Sequence, residues 1–227
     1  MRARFGIALM LGLAAVPAHA GQAGLATPAG TFTVPVVSLR EARFNSVVRQ
    51  EHDFSCGSAA VATLLTYHYH HPIGEDAAFS AMYAAGDQDA IRRSGFSLAD
   101  MQRYLATLGF SSDGFRVPLS KLAEIGVPAI ALINTRGYNH FVVIKGLDGD
   151  DVLVGDPALG LRSIARAEFE AMWQGVAFVI RDDIDVAREN FNRSEEWAVR
   201  RKAPFGTALN RQGLATFSTM LPSLFEF

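Results

Sequence analysis

Hydrophobic and polar positions change their rhythm once along this chain, near residue 129. Before it the spacing is helical. Residues Gly57 to Tyr69 carry Ala60, Val61, Leu64, Leu65 and His68 at intervals of three and four with no proline, so one face repeats every turn and a central, largely buried helix is expected. Helices are also expected over Asp76 to Ala85 and Leu98 to Leu108, with a short one at Leu119 to Glu124. Ser97 and Asp100 form a capping-box pair ahead of the second of these, and Gly109 stops it.

After residue 129 the runs are short, β-branched and strand-like: 129–134, 140–147, 151–156 and 176–181. Asp148-Gly149 marks a tight hairpin turn between two of them, and Arg166 to Trp173 reads as a helical interruption before the last. Helices followed by an antiparallel sheet define an α+β order. An earlier strand is expected near Val34 to Leu39, after a small, turn-rich lead-in.

The first twenty residues follow different rules. Arg2 and Arg4 precede an apolar run from Phe5 to Val16, and Ala18-His19-Ala20 offers a small-x-small cleavage site, the pattern of a secretory signal peptide cut after Ala20. The run is too short to span a bilayer. The expected division is 1–20 signal peptide, 21–44 N-terminal lead-in, 45–182 a single catalytic domain and 183–227 a C-terminal extension, with the mature protein in the periplasm.

Composition narrows the partners. Lys and Arg number 21 against 23 Asp and Glu, for a net charge of −2, and loss of Arg2 and Arg4 makes the mature chain more acidic. No basic surface for nucleic acid is expected. No G-x-x-x-x-G-K-[ST] loop is present, which excludes a P-loop nucleotide site, and no later segment is apolar enough to span a membrane.

The chain has one cysteine, so export to an oxidising compartment cannot be answered by an internal disulfide. Cys56 lies in QEHDFSCG, at the start of the apolar helix. Unpaired amides and the positive end of the helix dipole favour a thiolate at such a position; the alternative is a small buried hydrophobe.

His140 opens a strand after Arg136-Gly137-Tyr138-Asn139, a stretch that looks mobile, and can act as a base at the open end of a sheet. Asp156 ends the next strand, where it can orient the imidazole, while Asp156-Pro157 also reads as a turn initiator. Gln50, six residues before Cys56, can offer its amide to a developing oxyanion, or be a solvated loop residue. His68, His70 and His71 read as a helix C-terminus meeting the dipole rather than a metal site. Phe141, Phe169, Trp173 and Phe178 read as core.

These four residues, in the contexts QEHDFSCGSAA, NHFVVIKG and GDPALG, resemble the C39 family of cysteine peptidases over Val48 to Ile180. The resemblance implies a papain-like fold with Cys56, His140 and Asp156 as the catalytic set and Gln50 in the oxyanion hole. It implies cleavage after a small pair such as Gly-Gly, with no metal or organic cofactor. RGYNHFVVIKG, VLVGDPALGLR and FNRSEEW are more similar to the free-standing exported branch encoded with bacterial functional-amyloid secretion systems. That branch implies a peptide or protein substrate, with amyloid subunits or an outer-membrane export pore as partners. A non-enzymatic periplasmic adaptor or chaperone and a cell-wall peptidase or amidase are the competing readings.

Overall fold

The computed structural model describes residues 22–27, 30–35 and 38–200. The expected signal peptide and the end of the C-terminal extension lie outside them. The chain divides into two compact units, one up to Ala42 and one from Arg43 onward.

In the first unit, β1 (Gln22–Thr27) and β2 (Gly30–Pro35) pair antiparallel, with Gln22 opposite Pro35 and Thr27 opposite Gly30. A single helical turn, α1 (Leu39–Ala42), follows. This corrects the expected lead-in and the strand at Val34 to Leu39. The Gly- and Thr-rich composition that reads as irregular forms a hairpin, and Leu39 begins a helical turn whose start Ser38 caps: its Oγ accepts from Glu41 N, and Glu41 Oε2 accepts in return from Ser38 N.

The second unit holds the core. Its central element is α2 (Cys56–His68), of which all but two residues are buried. A helix that is small or apolar all round must be covered on every side. It packs against α3 (Glu75–Ala85), α5 (Leu98–Thr107) and the sheet. Between α3 and α5 lies α4 (Gln88–Ser94). The capping box before α5 is present in full: Ser97 Oγ accepts from Asp100 N at 3.2 Å, and Asp100 Oδ2 accepts from Ser97 N at 2.9 Å.

The strands are β3 (Ser112–Arg116), β4 (Ala129–Thr135), β5 (Tyr138–Asp148), β6 (Asp151–Asp156), β7 (Gly160–Ala165) and β8 (Trp173–Ile180). They form one antiparallel sheet in the order β3-β8-β4-β5-β6-β7. Two short helices, α6 (Leu119–Ile125) and α7 (Arg166–Met172), connect strands. After the sheet come α8 (Ile184–Glu189) and a 3-10 turn at Glu196–Arg200.

The middle strands β4, β5 and β6 are buried almost throughout, and they carry the continuous apolar runs that made them visible in the sequence. Phe141, Phe169 and Phe178 are core residues, as expected. Among the described residues no helix is long and apolar enough to cross a membrane.

Candidate active site

Cys56 is the first residue of α2 and is buried. The hydroxyl of Ser55, the residue before it, would normally cap the helix, but here it bonds the backbone of His52 instead, accepting from its N–H and donating to its carbonyl, each at 3.1 Å. No side chain therefore caps the first-turn amides, and the first turn holds no acidic residue. Those amides and the dipole are directed at the thiol's surroundings.

His140 is the third residue of β5, opposite Ile133 on β4, and is buried. Its Nε2 lies 2.8 Å from Asp156 Oδ1, and Cys56 is close enough to favour the charged ring. Burial alone would lower its pKa. The bond to Asp156 and the nearness of Cys56 outweigh that and raise it from 6.5 to about 9, so His140 holds a proton at neutral pH.

Asp156, at the end of β6, also accepts from Ala158 N at 2.9 Å and Leu159 N at 3.2 Å, with Arg162 Nη2 at 3.5 Å from its other oxygen. Burial would raise its carboxyl, but His140, the Ala158 amide and Arg162 lower it overall. Asp156 thus both initiates a turn and supports the imidazole, with the same Oδ1.

Gln50 comes to the same place from the other side. Its backbone N–H donates to Pro157 O at 3.0 Å, tying the loop before Cys56 to the residue after Asp156. Its side-chain Nε2 donates to His52 O at 3.0 Å, and its Oε1 is buried without a hydrogen-bond partner. The side chain is thus spent on its own loop rather than solvated.

Two features were not read from the sequence. The stretch 136–139 is not a mobile loop: Thr135 pairs with Tyr138 across a two-residue hairpin turn, with Arg136 at φ 54° and Gly137 at φ 89°. Positive φ at both central positions is the turn that matches strand twist, and Asn134 Oδ1 accepts from Gly137 N at 2.9 Å.

That rigid turn holds Tyr138, whose hydroxyl donates to Asp53 O at 2.8 Å and so bridges β5 to the loop preceding Cys56. A cleft of about 820 Å³ opens here, lined by Cys56, Tyr138 and Phe141 and by Arg93, Gly95 and Ser97. The signal for Tyr138 was its position two residues before His140, which puts both side chains on one face of the strand.

The histidine inside the last turn of α2 does not meet the dipole as a cation. His68 is fully buried, and burial holds its pKa well below 6.5, so it fills the core as a neutral ring. His70 instead contacts Asn190 Nδ2 through Nε2 at 3.3 Å. Among the described residues, Glu51, Glu75 and Asp76 bring carboxylate oxygens within 4.8 Å of one another, and Glu75 is bonded by Ser58 Oγ at 2.9 Å.

A thiol at a helix N-terminus, facing an imidazole on an antiparallel sheet with a carboxylate behind it, defines a cysteine peptidase of papain-like architecture. The chain belongs to the peptidase C39 family, whose profile matches residues 45–184. It is 43% identical over 145 residues to the Pseudomonas aeruginosa protein named "Probable functional amyloid protease FapD", covering 64% of each chain. The match thus spans under two thirds of that relative. A Pseudomonas fluorescens protein of the same name is 38% identical, covering 75% of this chain and 76% of its own.

Among solved structures, the peptidase domain of Streptococcus ComA, a bi-functional ABC transporter, shares the fold at a TM-score of 0.52 and 17% identity, covering 60% of this chain and 96% of that one. A double glycine motif protease from a PCAT transporter, solved in complex with a leader peptide, matches at a TM-score of 0.50 and 25% identity, covering 59% of this chain and 89% of that one.

Proposed function

We propose that this chain is an exported cysteine endopeptidase that cuts after small residues in a secreted partner and supports functional-amyloid biogenesis or export from the periplasm. The observation that carries the reading is the His140–Asp156 bond of 2.8 Å beside the buried Cys56. The functional-amyloid setting is supported by the names of the two Pseudomonas relatives, and cleavage after a small pair by the double glycine protease.

In this reading Cys56 Sγ attacks the scissile carbonyl carbon, forming a C–S bond and an oxyanion. The Cys56 amide donates to that oxyanion, joined by Gln50 Nε2 once it leaves His52 O. His140 gives its proton to the departing amine as the C–N bond breaks, leaving a thioester on Cys56. Water, deprotonated by His140, then releases the carboxylate product and the thiolate. Asp156 keeps the ring oriented in both halves.

Cleavage is tested with protein recovered from the periplasm. Its first residue should be Gly21, and it should cut a peptide with Gly-Gly before the scissile bond at least about tenfold faster than one with Leu-Leu, since the latter must fit extra side chains into the same cleft. Equal rates on the two peptides remove the small-residue specificity. A chain that retains Met1, or stays in the cytosol, removes the export.

A further inference from the structure

Lys145 is a buried cation that the mechanism above does not use. It stands on β5, five residues after His140, where a bulge between Ile144 and Gly146 makes it the extra residue in the pairing with β6. A bulge redirects a side chain and leaves backbone groups unpaired. Both consequences are answered by one segment beyond α8, Asn192 to Trp197, which lies past the end of the family match at residue 184.

Asn192 N donates to Lys145 O at 2.8 Å, Asn192 Nδ2 donates to Leu147 O at 3.0 Å, and Trp197 Nε1 donates to Asn192 Oδ1 at 2.9 Å. Gly146 has no room for a side chain: a Cβ there would lie 2.5 Å from Asn192 Oδ1 and 3.2 Å from Trp197. Glu196 then reaches the Lys145 Nζ at 2.9 Å, with the lysine side chain fully buried and the carboxylate nearly so.

The Lys145 side chain, ammonium and stem together, reaches the segment before Gln50, the helix of Cys56 and the strand of Asp156. Its ammonium donates to Ser46 O at 2.7 Å, four residues before Gln50, in a segment that Val48 N also fixes to Thr63 Oγ1 of α2 at 2.9 Å. It lies 5.1 Å from the ring centre of Tyr67, on the helix that Cys56 begins. Its stem packs against Gly155, where a Cβ would come within 2.9 Å of Lys145 Cδ, directly before Asp156. A buried ion pair is a poor source of stability, because desolvation offsets its attraction. Its value here is positional, since a flexible apolar side chain would hold none of these groups at fixed distance.

We infer that Lys145 and Glu196 are positioning residues for the active site, the Asn192–Trp197 segment acting as a clasp that holds Gln50, Cys56, His140 and Asp156 in register. This rests on the reading of those four residues as the catalytic set.

The test uses the full mature chain carrying E196Q, with E196D as the second variant if E196Q does not fold, and L122A on α6 as the comparison for lost stability. Cys56 is the sole cysteine, so its alkylation by iodoacetamide, followed across pH, reports the site without any substrate. E196Q should alkylate about tenfold more slowly at neutral pH with an altered pH profile, and its kcat on a cleaved peptide should fall while KM stays within about twofold. L122A, unfolding at a lower temperature, should keep the wild-type alkylation profile. Wild-type alkylation in E196Q, or an equal loss in L122A, overturns the inference. A wild-type chain that alkylates under His140 control yet cuts no peptide overturns the peptidase reading alone.

Discussion

Asp156→Asn leaves a side chain of the same shape but removes the charge that holds the His140 proton. In the wild type His140 stays protonated up to about pH 9, so its ability to protonate a leaving amine is lost as pH rises through that value. The alkaline limb of kcat/KM should therefore lie near pH 9 and move toward 6.5 in D156N, with a fall in kcat on the order of 10²-fold or more. NMR titration of the His140 ring follows the same shift directly. An unmoved limb would mean that Asp156 serves only its turn. At this scale Cys56, His140 and Asp156 were legible because each stands at or within two residues of the end of a regular element, where sequence position fixes side-chain placement. Gln50 was legible only by spacing: its present bond to His52 O depends on loop geometry that no periodicity encodes.

Elements buried on both sides were easy to read and elements at the margins were not. The strand over 151–156 and the helix beginning at the Cys-Gly boundary match their expected ranges within a residue, because continuous apolar runs and a missing proline leave little choice. The edge strand β3 has a glycine at its centre and exposes Phe115, and α4 buries only Ile91; neither has a periodic apolar face to detect. The clasp was legible as the motif FNRSEEW but not as structure, since its role is to complete a bulge that the sequence does not announce. The capping box at α5 was legible, and it borders the cleft through Ser97. Ser97→Ala should lower stability by about 1 kcal/mol by removing the hydroxyl that caps the Asp100 amide and bonds the Asp100 carboxylate, as read by urea unfolding. An unchanged midpoint at constant slope would show that the helix start does not depend on this cap.

For the whole molecule, the same charges that arm the site make stability depend on pH. His140 has a raised folded pKa, so its contribution is complete below about 6.5 and is lost as pH rises through about 9. Asp156 has a lowered one, so its contribution is present above 3.8 and is lost as pH falls through its folded value. Thermal midpoints should therefore be highest between these limits, the range in which the ion-paired site is assembled. The α+β order was legible at this scale, from helical spacing before residue 129 and strand spacing after it. The hairpin before Ala42 was hidden by its loop-like composition.

The most direct test follows the products of a Gly-Gly peptide by mass spectrometry with the wild-type chain and with Cys56→Ala, both shown to be folded by circular dichroism. The wild type should yield two fragments that meet after the glycine pair, and C56A should be slower by on the order of 10³-fold or more. Cleavage by C56A at the wild-type rate would contradict a thiol mechanism at this site.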